Sequence, residues 1–161
     1  MKRLYIPFLA FFLFFNSCNY PGDGALGGWD IIEFKTSEAK LKQAIDSLYK
    51  LEPSYKTKGN WKYESNEWLK DHYYLNTVIF YFNSPPEEMY YVTYVDNGNG
   101  DNPNFSRLAI RAVQISSNSW KRYQDVSKNE KLRIEKRFHK YIVKRLEMLT
   151  KVESSKIPTS H

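Results

Sequence analysis

The stretch from Thr77 to Val95 leaves the backbone little choice. Thr77–Asn83 and Met89–Val95 are dense in β-branched and aromatic residues. Between them, Ser84-Pro85-Pro86-Glu87-Glu88 holds two consecutive prolines, which cannot continue a sheet ladder or a helix. The spacing predicts an antiparallel hairpin. Ser106–Ile115, after the polar loop Asp96–Asn104, reads as a third strand, and Trp29–Lys35 alternates loosely enough to be a first one. Three antiparallel strands cannot hide a face by themselves, so helices must cover one. Leu41, Ala44, Ile45, Leu48 and Leu51 recur at helical spacing behind a Thr36 or Ser37 N-cap, and Pro53 ends the run, giving a helix over 37–51. A second helix runs from about Lys128 to Lys151. The fold expected is α+β: an antiparallel sheet of three to four strands with two helices packed on one face, in the order β-α-β-β-β-α, the other face being open.

The beginning of the chain does not belong to that fold. Lys2 and Arg3 precede Leu4–Phe15, twelve residues without a charge. As a helix this run would cover about 18 Å, against about 30 Å of bilayer hydrocarbon, so it reads as an export signal and not as a membrane span. The residues that follow, Phe15-Asn16-Ser17-Cys18, resemble the lipobox of bacterial lipoproteins. In that motif a small residue precedes a cysteine that carries lipid and becomes residue one; Phe15 and Asn16 stand where the family usually has leucine and a small residue. The resemblance implies lipid attachment at Cys18, with two or more acyl chains holding the protein in a membrane. Cys18 is the only cysteine, so no intramolecular disulfide is possible. The expected organisation is a signal peptide over 1–17, a lipidated flexible linker over 18–28 with four of the seven glycines, one α+β domain over 29–151, and a disordered tail over 152–161.

Loss of the signal takes two of the 24 basic residues and none of the 18 acidic ones, leaving a formal charge of +4. Lys128–Lys151 alone carries nine basic and three acidic residues, so the remainder is slightly acidic and the charge is concentrated on the last helix. Arg133, Arg137, Lys140, Lys144 and Lys151 gather on one side of that helix, and Ile134, Phe138, Tyr141, Ile142 and Leu149 on another. This ridge reads either as a solvated face or as a surface for an acidic partner or an anionic membrane. Arg145 falls inside the apolar arc, where its stem is expected to lie over the core. A second candidate surface is the sheet alternation set containing Ile79, Tyr81, Tyr90, Tyr94, Arg107 and Arg111. Tyrosine and arginine are enriched at recognition hot spots, although a register slip of one residue would exchange the faces.

Catalytic patterns are sparse. His72, His139 and His161 are scattered, and no nucleophile elbow, zinc-binding helix or phosphate loop occurs. His72 beside Asp71 is the best candidate for a general base. Asn97, Asn99 and Asp101 alternate like calcium ligands, but Asn102 and Leu108 occupy the positions that need glycine and a bidentate glutamate, so a hairpin loop is the better reading. No catalytic residue, metal or cofactor is expected. The segments Gly28-Trp29-Asp30, Phe34-Lys35-Thr36-Ser37 and Glu87-Glu88-Met89-Tyr90-Tyr91-Val92 resemble those of small uncharacterised lipoproteins of Gram-negative bacteria, some of which serve as immunity proteins. The resemblance implies a shared domain and no established activity; the leading expectation from the residues is a monomeric, lipid-anchored domain of the cell envelope, on the outer membrane in preference to the inner one, that binds a protein partner and not nucleic acid. The alternatives are a hydrolase or carbohydrate-binding lipoprotein acting on envelope polymer, and a structural envelope component without a discrete ligand.

Overall fold

The computed structural model describes residues 28–56, 76–95, 104–116 and 119–159. The chain runs through β1 (Ile31–Phe34), α1 (Glu38–Leu51), a 3-10 turn (Pro53–Tyr55), β2 (Thr77–Phe82), β3 (Glu88–Tyr94), β4 (Ser106–Ile115) and β5 (Trp120–Lys121). A second 3-10 turn (Tyr123–Asp125) leads to α2 (Lys128–Phe138), a π turn (His139–Val143), α3 (Lys144–Thr150) and β6 (Ser154–Ile157). The strands form one antiparallel sheet in the order β2-β3-β4-β1-β6, with β5 also paired to β4. The fold is α+β as expected, with six strands among the described residues instead of three to four.

The helices start where their caps dictate. Ser37 Oγ accepts from the Lys40 amide at α1, and Ser127 with Glu130 closes a capping box at α2. Both helices bury their apolar stripes against the same side of the sheet. Leu41, Ala44, Ile45 and Leu48 of α1 and Ile134, Phe138, Ile142, Val143 and Leu146 of the last helix share one cluster with Phe34, Phe80, Phe82, Tyr90, Val92 and Leu108. Each such large side chain contributes about 1.5–3 kcal/mol on burial. The opposite face differs from the open surface expected: Tyr81, Met89, Tyr91, Thr93, Ala109 and Arg111 are buried there, and Trp120 packs edge-on against Tyr91 at 5.9 Å.

Two irregularities reset which residues face inward. In β4, Tyr91 pairs with Ala112 and Val92 with Ile110, so Arg111 is the extra residue of a bulge. The inward set therefore runs Leu108, Ile110, Val113 and not Leu108, Ile110, Ala112. In the last helix, continuing the α-helical spacing of Ile134, Phe138 and Ile142 would next bury Arg145 and Leu149. The π turn inserts one residue and rotates the following side chains by about 100°. Val143, Leu146 and Thr150 take the inward positions, and the Arg145 side chain, expected over the core, is 51% exposed.

The disordered tail expected over 152–161 is corrected at Ser154–Ile157, which pairs with β1 from Phe34↔Ser154 to Ile31↔Ile157. Lys151 ends α3 in the left-handed region at φ 60°, turning the chain back toward the sheet. An edge strand is held by backbone bonds and needs no alternating pattern, and Ser-Ser-Lys-Ile shows none. Side chains anchor it instead. Glu147 accepts from the Ser154 amide at 3.1 Å and the Ser154 hydroxyl at 2.7 Å, and Lys156 pairs with Asp30 at 2.9 Å.

Partial burial of Glu147 favours its neutral form, but hydrogen bonds from Lys144 and Ser154 outweigh this and hold its pKa below the ordinary 4.5. A depressed carboxyl pKa stabilises the fold above the ordinary value and loses that contribution as pH falls through the folded-state value. Glu147→Gln should therefore speed amide exchange in Ser154–Ile157 at neutral pH and remove the loosening of β6 that acid produces in the parent. Equal exchange in both proteins at neutral pH would show that Glu147 does not hold the strand.

Candidate functional site

The basic helix divides into residues that serve the fold and residues that remain available. Glu88 opens β3, and its side chain is wholly buried. Arg133 Nη2 donates to Glu88 Oε1 at 2.5 Å, Arg137 Nη1 donates to Oε2 at 2.8 Å, and the Tyr90 hydroxyl donates to Oε2 at 2.9 Å. Arg137 also donates to the carbonyls of Pro86 and Ser84, at 2.6 and 2.8 Å, and to the Ser84 hydroxyl. Its guanidinium lies over the Phe82 ring at 4.7 Å. The hairpin turn is thus clamped to α2 by charge-assisted bonds in a dry site. Burial first, and Glu88 second, push the Tyr90 hydroxyl pKa upward, so it stays a donor. The hydrogen bond to Glu88 is the main reason the Arg133 pKa is raised. Arg133 and Arg137, expected on a ridge facing a partner, hold the domain together.

The tyrosine-arginine sheet surface does not exist as one face. The hairpin register pairs Phe80 with Tyr90 and Tyr81 with Met89, one residue away from the alignment that would put Tyr81 and Tyr90 together. Tyr90 and Tyr94 lie on the helix side, Tyr90 fully buried and Tyr94 beneath the Lys42 ammonium at 5.1 Å. Tyr81, with its hydroxyl bonded to Glu87, lies on the other side. Arg107 stands opposite Glu33 across β1 and β4 and is held by it at 2.7 Å, and Arg111 is buried in the bulge. Side-chain alternation carries no information about the register that decided this.

What remains is a surface built by the end of α1, the first 3-10 turn, the π turn and α3. Leu51 is 68% exposed and Met148 61% exposed. With Leu48, Glu52, Arg145 and Leu149 they line an open groove of about 230 Å³ whose walls are almost wholly apolar. An apolar cavity of about 150 Å³ holds a benzene ring, so this groove has room for one bulky side chain. The exposed Tyr141 continues the surface, its ring 6.2 Å from Phe82 and beneath the Lys140 ammonium at 5.0 Å. Lys140 and Lys144 are exposed, Lys144 pairing at 2.7 Å with Glu147 and Arg145 reaching Glu52 only at 3.8 Å. Of the ridge expected in the sequence, Lys140 and Lys144 belong here. Leu51, Arg145 and Met148 were missed, because their outward placement follows from the π turn and from the end of α1 at Pro53.

His139, in the π turn, lines a small, partly open pocket with Trp29, Asp30, Glu135 and Lys156. Cys18, His72, His161 and most of the Asp96–Asn104 loop lie outside the described residues. Among the described residues no group of histidine, cysteine, aspartate and glutamate is placed to hold a metal ion, and no helix is long and apolar enough to cross a membrane. Compared with family models, curated proteins and solved structures, the chain matches none.

Proposed function

We propose that the chain is an exported, lipid-anchored protein of the cell envelope whose domain binds an acidic protein partner through the Leu51-Tyr141-Arg145-Met148 surface. The anchor rests on the signal-like N-terminus and the lipobox resemblance at Cys18. The binding role rests on one observation: two large apolar side chains, Leu51 and Met148, are left in solvent on either side of an apolar groove, although the α-helical pattern would have buried Arg145 in their neighbourhood instead. Exposed apolar surface rimmed by positive charge marks an interaction site. Lys140, Lys144 and Arg145 would select a partner carrying carboxylates around an apolar anchor residue.

Replacing Lys140 and Arg145 together by glutamine should weaken partner capture and lower its salt dependence without changing the unfolding midpoint, Lys144 being left in place because it bonds Glu147. Capture that is unchanged, with the parent's salt dependence, would reject this surface. Arg137 is unsuitable for such a test because its reversal places a second negative group against buried Glu88.

A further inference from the structure

The other half of the basic helix carries a separate feature. Lys121 and Arg122 precede α2, Lys128 and Lys131 lie in its first turns, and Lys136 follows. Among the described residues no carboxylate lies within ion-pair distance of any of the five, whereas Arg133, Arg137, Lys144 and Arg145 each have one. Leu132 is 48% exposed, with Lys128 and Lys136 one helical turn to either side. Helix stability does not account for Lys128: the N-terminal end of a helix dipole is positive, so lysine in the first turn opposes it by some tenths of a kcal/mol.

The position of this patch identifies its counterpart. Tyr123, between Arg122 and α2, packs against Gly28 so closely that a Cβ there would lie 2.9 Å from the Tyr123 Cβ, and the Lys131 ammonium sits 3.7 Å from the Tyr123 ring centre. Gly28 is therefore beside the patch, and only ten residue steps separate it from Cys18. Even fully extended these span at most about 36 Å. We propose that Lys121, Arg122, Lys128, Lys131 and Lys136 rest on the anionic lipid surface that holds Cys18, with Leu132 entering the headgroup layer. This rests on the lipid anchor proposed above. An acyl anchor and a basic patch act together at a membrane, and the patch fixes which side of the domain faces it. The groove at Leu51 and Met148 lies toward the other end of the same continuous helix, Met148 being about 24 Å from Leu132 along its axis by the rise per residue, and stays open to a partner.

The test uses the processed, acylated chain with Leu132→Cys carrying an environment-sensitive fluorophore; a thiol at Cys18 blocked by lipid leaves this as the single reactive site. The chain is reconstituted in phosphatidylcholine vesicles with and without phosphatidylglycerol, with spin-labelled lipid as quencher. Quenching should be strong only with the anionic lipid, fall at high salt, and reflect a lipid-contacting population weakened about fivefold by each of Lys128→Gln, Lys131→Gln and Lys136→Gln. Equal, weak quenching in both vesicle types overturns the proposal, as does loss of capture of an acidic protein by these variants with no change in quenching. Intact mass separates the two readings: an unacylated Cys18 refutes the anchor, whereas an acylated chain without anionic-dependent quenching refutes the patch alone.

Discussion

Replacing Glu88 by alanine should lower the stability of the domain by about 3–5 kcal/mol, read as a fall in the denaturant midpoint at unchanged slope. The carboxylate is wholly buried and is the shared acceptor for Arg133, Arg137 and Tyr90. Its loss leaves Arg133 and the largely buried Arg137 without their shared carboxylate, and the neutral Tyr90 hydroxyl cannot replace an anion. Small domains have only about 5–15 kcal/mol of stability in total, so a large part of it rests on one side chain that the sequence places in a turn. Arg137→Ala should approach the same loss, because it strips Ser84 and Pro86 of their donor as well. Replacing Glu88, Arg133 and Arg137 together by apolar residues of similar volume should recover only part of the stability, since a buried ion group is costly mainly when it is broken but the Ser84 and Pro86 carbonyls still lose their donor. A loss below about 1 kcal/mol for Glu88→Ala would mean that the clamp is not what joins the hairpin to α2.

Leu51→Ser and Met148→Ser should each weaken partner binding by about 2 kcal/mol, roughly thirtyfold, while leaving stability within about 0.5 kcal/mol. The contrast follows from exposure. Neither side chain contributes much to the core, so truncation costs the free domain little, yet both would be desolvated when an apolar side chain fills the groove. Binding measured by titration calorimetry against the captured partner, with the unfolding midpoint of each variant alongside, reads both quantities. Loss of stability in step with loss of binding would place these residues in the fold and not in the site.

The elements that could be read from the sequence are those whose side-chain pattern and backbone punctuation agree. Ser37 before Leu41 and Pro53 after Leu51 bracket α1, and the pair Pro85-Pro86 separates β2 from β3. β6 could not be read, because Ser154–Ile157 is held by the backbone of β1 and by Glu147, which lies outside its own segment. The candidate surface was half legible. Lys140 and Lys144 stand out as charge on a helix, whereas the π turn that brings Arg145 and Met148 outward leaves no mark in the order of residue types. Arg133 and Arg137 look identical to Lys140 and Lys144 on a helical wheel; the difference is Glu88, whose burial is decided by the hairpin register. Arg111 and the split of Tyr81 from Tyr90 are register effects of the same kind.

The most direct test of the binding role is capture from the envelope and secreted fractions of the native cells by the processed chain, beside the Leu51→Ser/Met148→Ser variant, at low and high salt with mass spectrometry of what is retained. The account predicts one stoichiometric acidic protein held by the parent, weakened by salt and lost from the variant. Equal retention by both chains, or no partner at either salt, would contradict it.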